Sequence, residues 1–484
     1  MRGLAEPENP PTFQIHRRRH RFLGLSLGEA IRAFFGGQAL VAVVVLGLIT
    51  LFLLREGGGF FEMHRSELVS YRRSGMEFVE MLREQDARHV ALARRLSQGG
   101  LANGAGTGET ETEAAAAAER FADAILPLRE LASELGELAL EIKESTSEIR
   151  WGEVGGITAR YPEIDHAVYA LGQVVAEVAE VQPTWRSELA AYGASLEPTL
   201  AALREWDAER PVSHWQVARS FFFGSRWLTA SFWQDFYGVV PLFTGSLLVS
   251  AIALSLAVPL GLGAAIYVSQ IASAREKRLI KPTVEFIAAI PSVVLGFFGV
   301  AVLGQTLRAL SQVSWLAWMP GFPYAERLNA LTAGCLLALI AVPTIFTLAE
   351  DALANVPRTL REGSYALGAS RMQTVARVIV PSALSGMISA VLLGLGRVLG
   401  ETMVVLLCAG NRIAIPDFTA GLGAIVQPVH TMTGIIAQEM GEVVPGALHY
   451  RALFLVGMLL FVISLTLNYA AQRCLARYRL PALG

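Results

Sequence analysis

Two ionisable residues stand where charge is costly. Arg397 and Glu401 lie in GLGRVLGETM, residues 394–403, inside the apolar stretch 381–410. On insertion scales each costs roughly 2.5–3.5 kcal/mol at the centre of a membrane helix. Their i, i+4 spacing puts them on one face of a continuous helix, where they can pair. The arginine offers several donors in a fixed fork to the oxygens of an oxyanion. We therefore expect an anion path at Arg397, Glu401 and the adjoining Thr402; the plainer reading is a pair that only locks helices together. Gly386, Ala390 and Gly394 recur every four residues and lead towards the same face. Small residues at this spacing let helices pack closely, so the pair is expected to face the bundle interior. Gly394, Gly396 and Gly400 do not make a dinucleotide fingerprint, because the spacing is GxGxxxG and no strand precedes it.

The elements that must hold these residues are apolar and long. Of the 484 residues 53% are hydrophobic, and they clump at 36–54, 239–268, 286–304, 329–348, 381–410 and 452–470. Each stretch approaches the ~20 residues that a helix needs to cross a bilayer. The expectation is an all-α integral membrane protein with six spans. The net charge of −2 hides a segregation. Basic residues gather at 17–21, 275–281, 358–377 and 473–479, and acidic ones at 56–235. Lys and Arg near span ends favour the cytoplasmic side, which places both termini inside and 56–235, 306–328 and 411–450 outside. HRRRHR at 16–21 is read as this topology signal, with no nucleic-acid partner. Span one is too long for a signal-peptide core and is expected to stay as an anchor.

The expected domains are a basic cytoplasmic N-terminus (1–35), a first span (36–55), an extracytoplasmic helical insertion (56–235), a transmembrane domain (236–472) and a cytoplasmic tail (473–484). In the insertion, 66–98, 119–151, 166–189 and 196–206 carry apolar residues at helical spacing, which points to a packed bundle or long helical hairpin. Pro127 and Pro183 are expected to kink or end helices. GGLANGAGTGETETEAAAAA (99–118) reads as a flexible connection running into helix at its alanines. The three cysteines, Cys335, Cys408 and Cys474, lie in or just beyond apolar spans, and the eight histidines are scattered. Neither a disulfide framework nor a metal site is expected. There is no GxxxxGK[ST], so ATP hydrolysis is not expected in this chain.

Between spans four and five lies REGSYALGASRMQTVARVIVP, residues 361–381. It resembles the cytoplasmic coupling loop of ABC importer permeases: a glutamate, two small residues, a glycine four positions on, and a later proline. Here these are Glu362, Gly363, Ser364, Gly368 and Pro381, with Gly363 and Ser364 in place of the usual alanines. Gly368 can take a turn closed to other residues, and Pro381 suits the first turn of span five. IPSVVLGFFG (290–299), GLGRVLGETM and VVLLCAGN (404–411) narrow the resemblance to the phosphate-specific transport (Pst) permeases, C-type subunit.

That resemblance implies a type I, MetI-like fold over about 239–470. It also implies a heterodimer with an A-type permease and a dimer of ABC ATPases docked on the 350–381 region. An extracytoplasmic phosphate-binding protein and membrane lipid complete the expected partners. The chain would then be no enzyme and hold no cofactor, ATP and magnesium sitting on the ATPases, and would reside in the bacterial inner membrane. Glu401 could accept a hydrogen bond from a protonated phosphate, which sulfate cannot donate. Two alternatives remain: a permease for another oxyanion or small solute, and a permease-derived sensor that uses the insertion. HTMTGIIAQEMGEVV (430–444) reads as an amphipathic or re-entrant helix at the outer mouth.

Overall fold

The computed structural model describes residues 21–22, 25–102, 108–144, 157–229, 234–316 and 318–477. The basic cluster before Arg21, the centre of the 99–118 connection and the tail beyond 477 lie outside them. Six described helices are long and apolar enough to cross a membrane: Phe34–Arg73, Val240–Ile271, Ser292–Ser311, Ala330–Ala354, Arg371–Leu399 and Leu448–Cys474. The number matches the expectation, and several bounds move for local reasons.

Span one does not stop at its last apolar residue. Helix α1 (Leu27–Gly58) continues into α2 (Phe60–Arg73) because Gly59 keeps helical angles, φ −68° and ψ −11°. The chain then turns at Gly75, φ +80°, a conformation that favours glycine. Five described helices build the bundle of the insertion: α3 (Met76–Ala102), α4 (Gly108–Asp123), α5 (Leu126–Glu144), α6 (Ile157–Val181) and α7 (Arg186–Arg204). The periodic stretch 119–151 is therefore split between α4 and α5, and Pro127 sits in the first turn of α5, where its missing N–H costs nothing. Pro183 likewise stands between α6 and α7, in a short 3-10 turn. Helix already occupies 99–102 and resumes at Gly108, ahead of the alanines. One apolar core unites these helices, with Phe78, Leu82, Phe121, Ile125, Leu171 and Leu189 almost fully enclosed.

A capped helix, α8 (His214–Phe223), and a two-residue antiparallel ladder, Trp227–Leu228 with Phe236–Tyr237, lead back to the membrane core. That core contains α9 (Val240–Ile266), α10 (Ala274–Ala288), α11 (Ser292–Phe298), α12 (Gly304–Ser311), α13 (Ala330–Ala354), α14 (Arg358–Ala366), α15 (Arg371–Thr374), α16 (Val380–Leu399), α17 (Met403–Cys408), α18 (Met432–Glu439) and α19 (Leu448–Arg477). Span three begins at Ser292, six residues later than the hydropathy indicates, because Pro291 separates it from α10.

Helix α13 is the hub, packed against α9 and α16. Its N-terminus is capped by Asn329, whose side chain accepts the Thr332 N–H at 3.0 Å. Small residues let the backbones meet. A Cβ on Gly394 would lie 2.7 Å from Ile345 Cγ1, and one on Gly334 would lie 2.5 Å from Ile252 Cγ2. Gly386 faces Ala352 in the same way. The glycines thus do pack a helix pair closely.

Pro381 does not open span five. The helix runs from Arg371 and passes through a π turn, Val375–Ile379, before the proline. Proline removes an N–H and crowds the carbonyl four residues back, and a π turn absorbs that misfit without ending the helix.

Candidate functional site

Span five ends in the middle of the motif that drew attention to it. Helix α16 stops at Leu399, and Gly400 closes it by donating its N–H to Gly396 O at 3.2 Å. The Glu401 N–H turns back to Val398 O at 3.2 Å. A new helix, α17, starts after Thr402. The continuous span 381–410 is therefore interrupted, and Glu401 leaves the helical register that would have stacked it on Arg397. The two form no ion pair, which corrects the expected i, i+4 contact. Their surroundings differ as well. Arg397 is exposed on this chain, whereas Glu401 and Thr402 are half-buried. Gly386, Ala390, Gly394 and Val398 form the packed face, and Arg397 lies to one side of it. Interior placement therefore holds for the small residues and fails for the arginine.

What holds the break is a segment from the other end of the core. Thr433 Oγ1 donates to the Glu401 carbonyl at 2.8 Å. Thr431 caps α18 by accepting the Gly434 N–H at 3.1 Å, and the Met432 N–H donates to Ser246 Oγ on α9 at 2.9 Å. His430 is buried and satisfied: its Nδ1 accepts the Thr431 N–H at 2.9 Å, so Nε2 carries the proton and donates to Gln438 Oε1 at 3.1 Å. Glu439 accepts from His449 at 2.7 Å and Thr229 at 3.4 Å. Residues 430–444, expected as an amphipathic or re-entrant helix, form a buried capped turn followed by two turns of helix.

Ser246, Ser250, Glu401, Thr431 and Thr433 line a cavity of about 10 Å³ against Val249, Leu337, Val398 and Val405. That is room for one water at most, so an oxyanion cannot sit there in this conformation. The four hydroxyl residues were missed from sequence alone. Ser246 and Ser250 carry a signal, two hydroxyls one helical turn apart in an apolar span. Nothing local links them to Thr431 and Thr433, some 180 residues away.

The coupling region is compact and held to the core. Gly368 takes φ +81° with open space where a Cβ would go, so conformation alone demands glycine. Ser364 Oγ lies 2.9 Å from Thr374 Oγ1, and Ser370 caps α15 in a reciprocal box with Gln373. Arg361 donates to Leu353 O at 2.9 Å, and Arg371 to Gln270 O at 2.6 Å. Glu362 and Gly363 are exposed. A Cβ on Gly363 would meet nothing within 4 Å, so no close backbone approach inside this chain requires its small size. Around them Tyr365, Leu367 and Met372 stand out, Leu367 with 91% of its surface free. Among the described residues, no group of three His, Cys, Asp or Glu side chains is arranged to hold a metal.

Residues 257–478 match the family described as "Binding-protein-dependent transport system inner membrane component". That range contains both the coupling region and the break, and leaves out the insertion. The "Phosphate transport system permease protein PstC" of Haemophilus influenzae is 34% identical over 266 residues, 52% of this chain and 81% of that protein. "Phosphate transport system permease protein PstC 1" of Mycobacterium tuberculosis is 35% identical over 263 residues, 51% of this chain and 75% of that one. The chain belongs to the PstC-type family of ABC permeases. Another relative, the "Probable ABC transporter permease protein YqgH" of Bacillus subtilis, is 35% identical over 245 residues, 49% of this chain and 72% of that protein. Membership makes this a multi-pass transport permease, with no catalytic site of its own to seek, and its core a type I, MetI-like fold. Among solved structures, the permease of the MetNI methionine ABC transporter in an inward facing conformation matches 50% of this chain and 95% of its own, at 19% identity and a TM-score of 0.36; so loose a likeness adds nothing to the argument.

Proposed function

We propose that this permease carries inorganic phosphate into the cell as one half of an ATP-driven importer, with Arg397 on the path. One observation carries the reading. Arg397 is exposed on the isolated chain, midway along the apolar stretch 381–410, and has no hydrogen-bond or ion-pair partner among the described residues. A charge at that depth cannot face lipid cheaply, so its free side belongs against a second permease and a water-filled path between the two. The named relatives supply the substrate and supply no support for a sensor or another solute.

The rest of the mechanism follows from placement. The second permease is an A-type subunit. Tyr365, Leu367 and Met372, beside Glu362 and Gly363, form an apolar and charged knob on which an ABC ATPase docks. ATP and magnesium belong to that ATPase. Closure of the ATPases pushes the knob, and Ser364, Thr374 and Arg371 pass the push to the base of span five and the end of α9. Span five then moves its far end, where Thr433 grips the Glu401 carbonyl and the one-water cavity opens or closes. The insertion and the 430–444 segment face outward, where a phosphate-binding protein delivers the anion, and both termini lie in the cytoplasm of the bacterial inner-membrane system.

Glu401 has a role consistent with its half-buried place. It accepts a hydrogen bond from a protonated phosphate and repels an anion that has no proton to give. The test is phosphate uptake into proteoliposomes holding the complete transporter, with sulfate as competitor. Arg397→Ala is expected to lose uptake by at least about a hundredfold, as truncating one partner of a desolvated charge contact costs about 3 kcal/mol or more. Glu401→Gln is expected to keep uptake and lose discrimination against sulfate. Near-normal, phosphate-selective uptake in both variants defeats the reading.

A further inference from the structure

Helix α8 presents a face that the other described residues leave open apart from a loose contact at Phe222. Trp215, Arg219, Phe222 and Phe223 are all exposed, Trp215 at 68% and Phe223 at 70%. Their spacing of i, i+4, i+7 and i+8 aligns them on one side of the helix. The opposite side is buried: Val217 and Phe221 are fully enclosed, and Phe221 packs edge-on against Phe60 of α2 at 5.2 Å. Phe222 stacks loosely on Phe61 at 6.5 Å, and His64 Nε2 lies 3.1 Å from Ser220 Oγ. The helix is therefore fastened to the first span at Phe60–His64, and its other face is two aromatic types flanking an arginine.

Height along the span says what that face meets. The apolar part of span one runs to Leu54, and Arg55 and Glu56 follow. Phe60 and Phe61 lie six and seven residues further on, about 9–10 Å at the helical rise. A helix packed there reaches about 5 Å from its axis with its side chains, which brings its lower edge to some 4–5 Å above the hydrocarbon. The headgroup layer on each side is about 5–7 Å thick. Aromatic rings with a polar or basic neighbour are the residues that favour this layer.

We propose that α8 lies in the headgroup layer of the leaflet at the C-terminal end of span one. Trp215, Phe222 and Phe223 dip towards the acyl chains, and Arg219 reaches lipid phosphates. The insertion is then moored to the membrane by this surface helix as well as by its two chain connections, to span one and to α9. The added lipid contact fixes the tilt of the bundle above the permease.

The test uses the full chain in vesicles of phosphatidylethanolamine and phosphatidylglycerol. A spin label is placed at Phe223→Cys after Cys335, Cys408 and Cys474 are changed to alanine, with a second label at Tyr169→Cys in the insertion, where the side chain is 69% exposed. The label at 223 is expected to be several-fold richer in oxygen collisions relative to a water-soluble nickel chelate than the label at 169. A label at 223 as water-exposed as that at 169, or shielded from both relaxers as under a protein partner, overturns the proposal. A second measurement avoids the cysteine background. Tryptophan emission of the wild-type chain is quenched by lipids brominated near the headgroup, and Trp215→Phe is expected to show a smaller quenched fraction. An unchanged quenched fraction overturns it as well.

Discussion

The insertion and the membrane core treat charge in opposite ways. In the insertion, cations are spent on neighbours: Arg72 with Glu77 at 2.6 Å, Arg120 with Glu177 at 2.6 Å, Arg129 with Asp86 at 2.9 Å and Arg204 with Asp165 at 2.8 Å. Most of these pairs are partly exposed and stabilise by under about 1 kcal/mol each. Their value is in fixing which helix faces which. In the core, Lys281 pairs with Glu350 at 2.8 Å near the coupling region, whereas Arg397 is left open. Charges are far costlier there, so an unpartnered one is not explained by folding. The core is held by backbone contact across glycines and by caps instead. Paired charge marks architecture in the insertion, and the open Arg397 is the charge on which the proposed function rests.

That contrast can be broken most forcefully in the insertion core. Phe121 is fully buried, stacked on His89 at 4.1 Å and edge-on to Tyr192 at 5.9 Å. Phe121→Ala is expected to destabilise the bundle by about 3–5 kcal/mol. Limited proteolysis of the full chain in detergent should then cut within 76–204 and leave a membrane-protected fragment beginning near α8. If the spans become protease-sensitive together with the bundle, the two regions are one cooperative unit and the contrast between them fails.

Glycine substitutions sharpen the comparison within the core. Gly394→Ala drives a Cβ into Ile345 at the α13–α16 contact, and over-packing of this kind costs about 1–3 kcal/mol. Gly363→Ala meets open space in the middle of α14 and gains about 0.5–1 kcal/mol of helix preference. Thermal denaturation in detergent should lower the midpoint for the first and hold or raise it for the second. Equal midpoints for both would mean that the small residues in span five are not what sets the helix approach.

The legible part of the molecule was the part with long-range periodicity or a turn demanded by one residue. Six apolar stretches of bilayer length announce six spans, and Gly368 declares its left-handed turn. The coupling region stands out because its glutamate, glycine and proline keep fixed offsets. The ends of span five were not legible. Apolar residues continue through Leu406 and Leu407, so hydropathy runs straight over the break at Gly400, and the hydroxyl that holds the Glu401 carbonyl belongs to Thr433, 32 residues on. Pro381 looked like a helix start because the π turn that absorbs it has no sequence signature of its own. The cavity beside Glu401 draws residues from α9, α13, α16 and the 431–433 turn, a set that only packing assembles. The face on α8 was hidden for another reason: a ten-residue helix beside a span is too short to stand out from its surroundings.

The smallest effect tests whether the insertion's interior, unlike the open arginine, is sensitive to protons. His89 is fully buried and donates Nε2–H to the Phe121 carbonyl at 2.6 Å, so its Nδ1 accepts from the Tyr192 hydroxyl at 3.0 Å. Burial holds its pKa below the ordinary 6.5, outweighing the carbonyl contact that pulls the other way. The folded bundle therefore binds fewer protons than the unfolded one, and stability is lost as pH falls below about 6.5. The loss relative to about pH 7.5 grows as the unfolded imidazole takes up its proton below about pH 6.5. Chemical denaturation of the insertion, followed by protease release from the full chain, should show this drop in the wild type and lose it in His89→Phe. A drop that survives in His89→Phe would place the acid sensitivity in the surface carboxylates, and the paired charges would then contribute more than architecture.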